Sequence, residues 1–273
     1  MKYFNAVHRL VKEEVSANLP ERFGLIFNGW SAGTHHYVGV FAVYPEGMEM
    51  KRKKVMLAMD TLLDETNQNA ANHVEFLVDV LQSYNKSLEN VLFICGDNCN
   101  TNKNIADRLH VPLIGCRSHI FNLAVNHFLS TFKDLVDKID KLCGKLRNRN
   151  AADKLRQLGC TIEAVSRNVT RWSSTYMMLK RYRELNKYIN KTNFPELIDY
   201  LLTPLDVASL EGLLSIMEKL QTVTEALQRD NITLRNVQAL FDATSELLSD
   251  SDTYLARDAK MLHSPVYYSA ILK

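Results

Sequence analysis

Three short apolar runs near the start of the chain are joined by connections too short to hold a helix. They are Phe23–Phe27, Tyr37–Tyr44 and Val55–Met59. Such spacing favours an antiparallel meander of three strands. The middle run is apolar at successive positions, as a strand covered on both faces is. Asn28, Gly29 and Gly33 punctuate the chain after the first run. Pro45, Gly47 and the charged run Lys51–Lys54 are expected to turn it after the second. Ahead of the meander, Phe4, Val7, Val11 and Val15 fall at helical spacing, and that helix should stop near Leu19 and Pro20.

The period then changes. Val74, Leu77, Val78 and Leu81 make a helical stripe, Val91–Cys95 a buried strand, Ile105 and Leu109 a short helix, and Val111–Gly115 another strand. From Phe121 to Ile139 the spacing predicts one long helix. A strand–helix–strand crossover pairs its strands in parallel. The order therefore predicts an α/β fold with a mixed five-stranded sheet flanked by helices. After Cys143 only helical patterns follow, around Met177–Glu184, Leu213–Leu227 and Leu234–Leu248. The expected organisation is a sheet domain over residues 1–145 and a mostly α-helical region over 146–273.

A hydrophobic content of 46% with 23% charged residues supports a sizeable core and excludes global disorder. The formal net charge of +2 excludes a histone-like polycation, but it hides an asymmetry. Residues 133–191 carry 15 Lys/Arg against 6 Asp/Glu, a net of +9. Residues 192–258 carry 4 against 12, a net of −8. The basic block reads either as a nucleic-acid surface or as solvated helix faces partly neutralised by the acidic block. No apolar run approaches the ~20 residues of a membrane span, so no membrane partner is expected. Five cysteines without a secretory leader point to a reducing compartment. Lys51–Lys54 reads as a nuclear import signal or a charged hairpin, so the expected location is nuclear, or cytoplasmic if that signal is silent.

Asp97 is the sharpest chemical candidate. It follows a buried strand, where loops present functional groups to a crevice. With a second carboxylate on a neighbouring strand it could hold Mg²⁺; alone, it reads as a turn or helix cap. The matching position on the first strand is Asn28, a neutral amide that offers one oxygen and no charge. Cys95, Cys99, Cys116 and His119 have a spacing compatible with tetrahedral zinc, whereas Cys95 also suits a packed strand position. Arg171 and Trp172 lie in a Ser/Thr-rich break before a helix. An exposed Trp172 could stack a nucleobase beside a phosphate-binding Arg171; a buried Trp172 would only staple the helix start. No glycine-rich phosphate loop or G-x-S-x-G element is present, which leaves P-loop and serine-hydrolase readings unsupported.

Taken in order, the segments F-N-G-W-S (27–31), H-Y-V-G-V (36–40), G-D-N-C-N-T-N (96–102), G-C-R-S-H-I-F-N-L-A-V (115–125) and T-R-W-S-S-T (170–175) resemble the hAT superfamily of DNA transposases. The ending A-K-M-L-H-S-P-V-Y-Y (259–268) resembles a later segment of such elements. The likeness runs from Phe4 to Lys273. It implies a ribonuclease-H-like sheet followed by part of an α-helical insertion. It also implies an Asp–Asp–Glu site on Mg²⁺, in which Asn28 stands where the first Asp is expected and Asp97 is the second. The Glu lies beyond the helical insertion in such proteins and is not reached here. The upstream zinc-finger module and the C-terminal dimerisation segment are likewise not matched. Cys116 and His119 correspond to the family's residues after the last strand, and Arg171–Trp172 to an Arg-Trp that handles transposon-end DNA. The resemblance thus implies a transposase-derived domain that binds DNA through Arg171, Trp172, His119 and Cys116. Catalysis is not expected of it, nor a cofactor, with Mg²⁺ at Asp97 only if activity remains. Two alternatives stay open. One is a Mg²⁺-dependent transposase or nuclease completed by a transposase-like protein partner; the other is a protein-interaction remnant.

Overall fold

The computed structural model describes residues 2–48, 51–62, 67–248, 252–255 and 262–263. Helix α1 (Lys2–Asn18) leads into strands β1 (Phe23–Ala32), β2 (His35–Glu46) and β3 (Lys51–Thr61). Helix α2 (Ala70–Gln82), strand β4 (Val91–Gly96), helix α3 (Asn100–Leu109) and strand β5 (Leu113–Gly115) follow. The sheet order is β3-β2-β1-β4-β5. A two-residue strand β6 (Leu262–His263) adds to β5 in antiparallel sense. β1, β2 and β3 pair antiparallel, while β4 pairs in parallel with β1 and with β5. This is the expected mixed α/β sheet, and a helical region follows it.

The chain divides into two compact units. One holds the described residues up to His119 together with β6; the other runs from Ile120 to the last described helix. In the sheet unit, Phe23, Leu25 and Phe27 of β1 and Val38, Val40 and Ala42 of β2 point into one core with Phe76 and Leu77 of α2 and Ile105 of α3. Full burial of each such side chain contributes about 1.5–3 kcal/mol before conformational entropy is subtracted. Asn69 caps α2 by accepting from the Asn72 N–H.

The helical unit contains most of α4 (Arg117–Ser130), then α5 (Lys133–Leu146), α6 (Arg149–Gln157), α7 (Trp172–Leu185), α8 (Pro204–Leu227), α9 (Leu234–Leu247) and α10 (Asp252–Leu255). Its core includes Phe121, Ile139, Leu142, Tyr182, Phe194, Met217 and Phe241. α8 starts sharply because Thr203 and Asp206 form a capping box with Pro204 at the first helical position.

Three local expectations are corrected. β1 does not end at Phe27 but runs through Asn28 and Gly29 to Ala32, because these residues pair with Gly39, Val38 and their neighbours on β2. Lys51–Lys54 is no turn; it is the start of β3, paired with Glu46 to Val43. The single helix expected over 121–139 is two. Near its break the Ser130 and Thr131 hydroxyls donate to the His127 and Phe128 carbonyls, and the Thr131 and Phe132 N–H groups turn back to Phe128 and Leu129. Local hydroxyl bonds compete with the helical ladder there, and the turn tightens. The matched ending 259–268 lies outside the described residues except for Leu262 and His263.

Candidate functional site

In the sheet unit, the parallel register places Ile26 of β1 opposite Cys95 of β4. Two residues further along each chain come Asn28 and Asp97. Both line one small polar cleft of about 220 Å³ at the strand ends, with His36, Gln68, His73, Cys99, Thr101 and Asn102. The loop is held from below, since the Asn102 carboxamide donates to the Asp97 carbonyl at 2.8 Å. The Cys116 N–H donates to the Gly96 carbonyl at 2.8 Å, which ties the G-D-N loop to the end of β5. A side chain at Gly115 would collide with the Asn98 carboxamide, and one at Gly29 would come within 2.6 Å of the His36 ring. These two glycines let polar side chains close over the strand ends.

The Asp97 carboxylate lies 3.5 Å from His119 Nδ1 at the start of α4. His36 and His73 were not expected from sequence. Their rings meet edge-on at 6.4 Å, the Nδ1 of His36 is 3.2 Å from the Ser31 hydroxyl, and that of His73 is 2.8 Å from the Asn69 carbonyl. In the sequence His36 opens the H-Y-V-G-V segment, and His73 precedes the apolar stripe of α2.

The donors present do not suit a two-metal phosphoryl-transfer site. Asn28 supplies a neutral amide to the cleft in which Asp97 is the single carboxylate. Among the described residues no three His, Cys, Asp or Glu side chains converge as metal ligands. The same observation corrects the zinc reading of Cys95, Cys99, Cys116 and His119. Cys99 sits exposed at the cap of α3, whereas Cys95 and Cys116 are partly covered. Burial pushes the Cys95 thiol up to about 11 and raises that of Cys116 as well.

In the helical unit the T-R-W-S-S-T segment forms the entry to α7. Trp172 is only 2% exposed. Its ring packs edge-on against Phe121 at 6.3 Å and is tilted against Tyr176 at 6.2 Å. An exposed stacking tryptophan is therefore corrected to a buried anchor, while its neighbour Arg171 is exposed. The segment is tied to α4 by Asn122, which donates to the Thr170 carbonyl at 3.0 Å and accepts from the Trp172 N–H at 3.1 Å. The motifs 115–125 and 170–175, about fifty residues apart, thus meet through one carboxamide.

Residues 114–198 match the ZBED1 RNase-like helical domain. No curated protein matches the chain. The ZBED1 RNase-like helical domain model covers about a third of the sequence, including Asn122, Arg171 and Trp172, and it supports an hAT-like, transposase-derived origin.

Much of the basic block is internally engaged. Lys133 pairs with Asp137, Arg167 with Asp137 and Asp140, Arg156 with Asp153 and Glu163, and Arg181 with Glu184. Lys138 and Arg183 reach Asp206 and Glu211 of the acidic block. Lys145, Lys154 and Lys187 lie over the rings of Tyr200, Phe194 and Tyr188. Lys141, Arg149, Arg171 and Lys191 are exposed. The hydrogen bond from Lys133 holds Asp137 below the usual carboxylate range, and that from Lys138 does the same for Asp206. A larger cavity of about 560 Å³, bordered by Leu146, Leu155, Cys160 and Ile162, lies in this unit and contains none of the candidate residues above. Among the described residues no helix is long and apolar enough to cross a membrane.

Proposed function

We propose that this chain is a transposase-derived nucleic-acid-binding module whose sheet cleft does not carry out DNA cleavage. The single observation behind the second half is that Asn28 and Asp97 line the same cleft. Two-metal phosphoryl transfer needs negative ligands on both sides of the reacting phosphate, and an amide removes a full charge from that clamp. The binding half is supported by the exposed cations Lys141, Arg149, Arg171 and Lys191. If these four reach phosphates, counterion release gives a log–log salt slope of roughly −3 to −4. The partner in this reading is DNA, met in the nucleus, with no cofactor required.

The test combines two assays on the whole chain. Anisotropy with duplex and single-stranded oligonucleotides between about 50 and 200 mM salt should show weak, sequence-independent binding that falls steeply with salt. Incubation with hairpin and linear duplex in Mg²⁺ or Mn²⁺ should give no nicks; nicking abolished by Asp97→Ala would overturn the proposal. One observation favours the protein-interaction reading instead. Tyr3, Val7, Leu10 and Val11 of α1 are all exposed. Absence of binding at low salt would promote that reading.

A further inference from the structure

The loop before α7 has its backbone fixed from two directions, and the residue between the fixed points is an exposed arginine. Asn122 grips Thr170 and Trp172, the residues on either side of Arg171, with both ends of its carboxamide. This uses one acceptor and one donor of an amide much as a neighbouring strand would use a peptide group. On the other side, Asn168 Oδ1 accepts from the Thr170 N–H at 3.0 Å and from its hydroxyl at 2.8 Å. Ser174 Oγ bonds both the N–H and the carbonyl of Asn168. The Ser174 N–H and hydroxyl converge on the Arg171 carbonyl at 3.0 and 2.7 Å.

Arg171 itself is extended, with φ −124° and ψ 112°. The chain turns from extended to helical between Arg171 and Trp172, and across that turn the Trp172 ring is buried against Phe121 while Arg171 is exposed. α4 supplies both devices, the ring partner at Phe121 and the clamp at Asn122. We infer that Asn122 is a positioning residue that presents the Arg171 guanidinium to a nucleic-acid phosphate. This rests on the nucleic-acid reading above. It divides the Arg-Trp pair into a contact and an anchor and adds a third member from a distant helix. Holding the backbone in advance lowers the ordering cost when a flexible cation closes on a phosphate.

A double-mutant cycle on the whole chain tests it, read as affinity for a labelled duplex across the salt series. Arg171→Ala should weaken binding and reduce the magnitude of the salt slope by about one. Asn122→Ala should weaken binding several-fold while leaving the slope nearly unchanged, since the charge is still there. The double variant should bind no worse than Arg171→Ala alone, because Asn122 acts only through that side chain. A second measurement needs no DNA: trypsin should cut the Arg171–Trp172 bond faster in Asn122→Ala than in wild type. Additive losses in the cycle, or an unchanged affinity for either single variant, would overturn the inference. If wild type binds duplex and only these variants behave otherwise, the nucleic-acid reading survives. If wild type does not bind at low salt, both fall.

Discussion

Two asparagines, one in each compact unit, are used in opposite ways. Asn28 stands exposed within β1 with Asp97 in the same polar cleft, and its amide supplies an oxygen but no charge. Asn122 is committed at both ends, holding the backbone on either side of Arg171. The sheet unit keeps the scaffold of a crevice, with close-approach glycines and tied loops, around a single carboxylate. The helical unit keeps a worked polar network around an exposed cation. The cleft of the sheet unit is lined by one carboxylate, whereas the polar groups of the Arg171 loop are bonded to one another, and that makes the loop the region to examine for binding.

The largest expected effect separates the anchor from the cleft. Trp172→Ala should destabilise the chain by about 3–5 kcal/mol, as removal of a fully buried aromatic does. Asp97→Ala, at a partly exposed loop, should stay within about 0.5 kcal/mol of wild type. Urea unfolding of both variants measures the difference. A mild Trp172→Ala would mean that its ring does not hold the loop.

Next in size is Gly115→Ala. The added methyl must displace the Asn98 carboxamide, so a loss of about 1–3 kcal/mol is expected. Thermal unfolding reads it, and an unchanged midpoint would show that the Asn98 contact does not organise the Asp97 loop.

A smaller effect concerns acid. Asp137 and Asp206 have lowered folded-state values, so their contribution is present above the ordinary carboxylate range. It is lost as pH falls below about 4 toward those lowered values. Both side chains are partly exposed, and the pairs link Lys133, Arg167 and Lys138 within the helical unit. An Asp206→Asn variant should lose less stability than wild type on acidification, because one of the two linked carboxylates is gone. Parallel pH profiles for the two proteins would show that this pair does not contribute.

The sheet was legible because short apolar runs alternate with short connections or helical stripes, although Asn28, Gly29 and Lys51–Lys54, expected to break the chain, lie within β1 and β3. The neighbourhood of Asn28 and Asp97 depends on the parallel pairing of β1 with β4, which the connection lengths do not dictate and the resemblance implied. What stayed hidden depends on contacts distant in sequence or on local competition. Nothing in the dipeptide Arg171–Trp172 says which side chain faces the core; that is decided by Phe121 and Tyr176. Asn122 looks like one of several polar residues of α4 until the loop fifty residues later arrives. The helix break after Ser130 needed hydroxyl bonds that hydrophobic spacing does not report.

Asn28 and Asp97 line one cleft in which Asp97 is the single carboxylate. Calorimetric titration of Mn²⁺ into wild type and Asn28→Asp tests this most directly. Two adjacent carboxylates repel until a cation joins them, so the variant should bind Mn²⁺ with clearly higher affinity than wild type. The gain should disappear when Asp97→Ala is added. Equal affinity in wild type and Asn28→Asp would contradict the shared cleft and the proposal built on it.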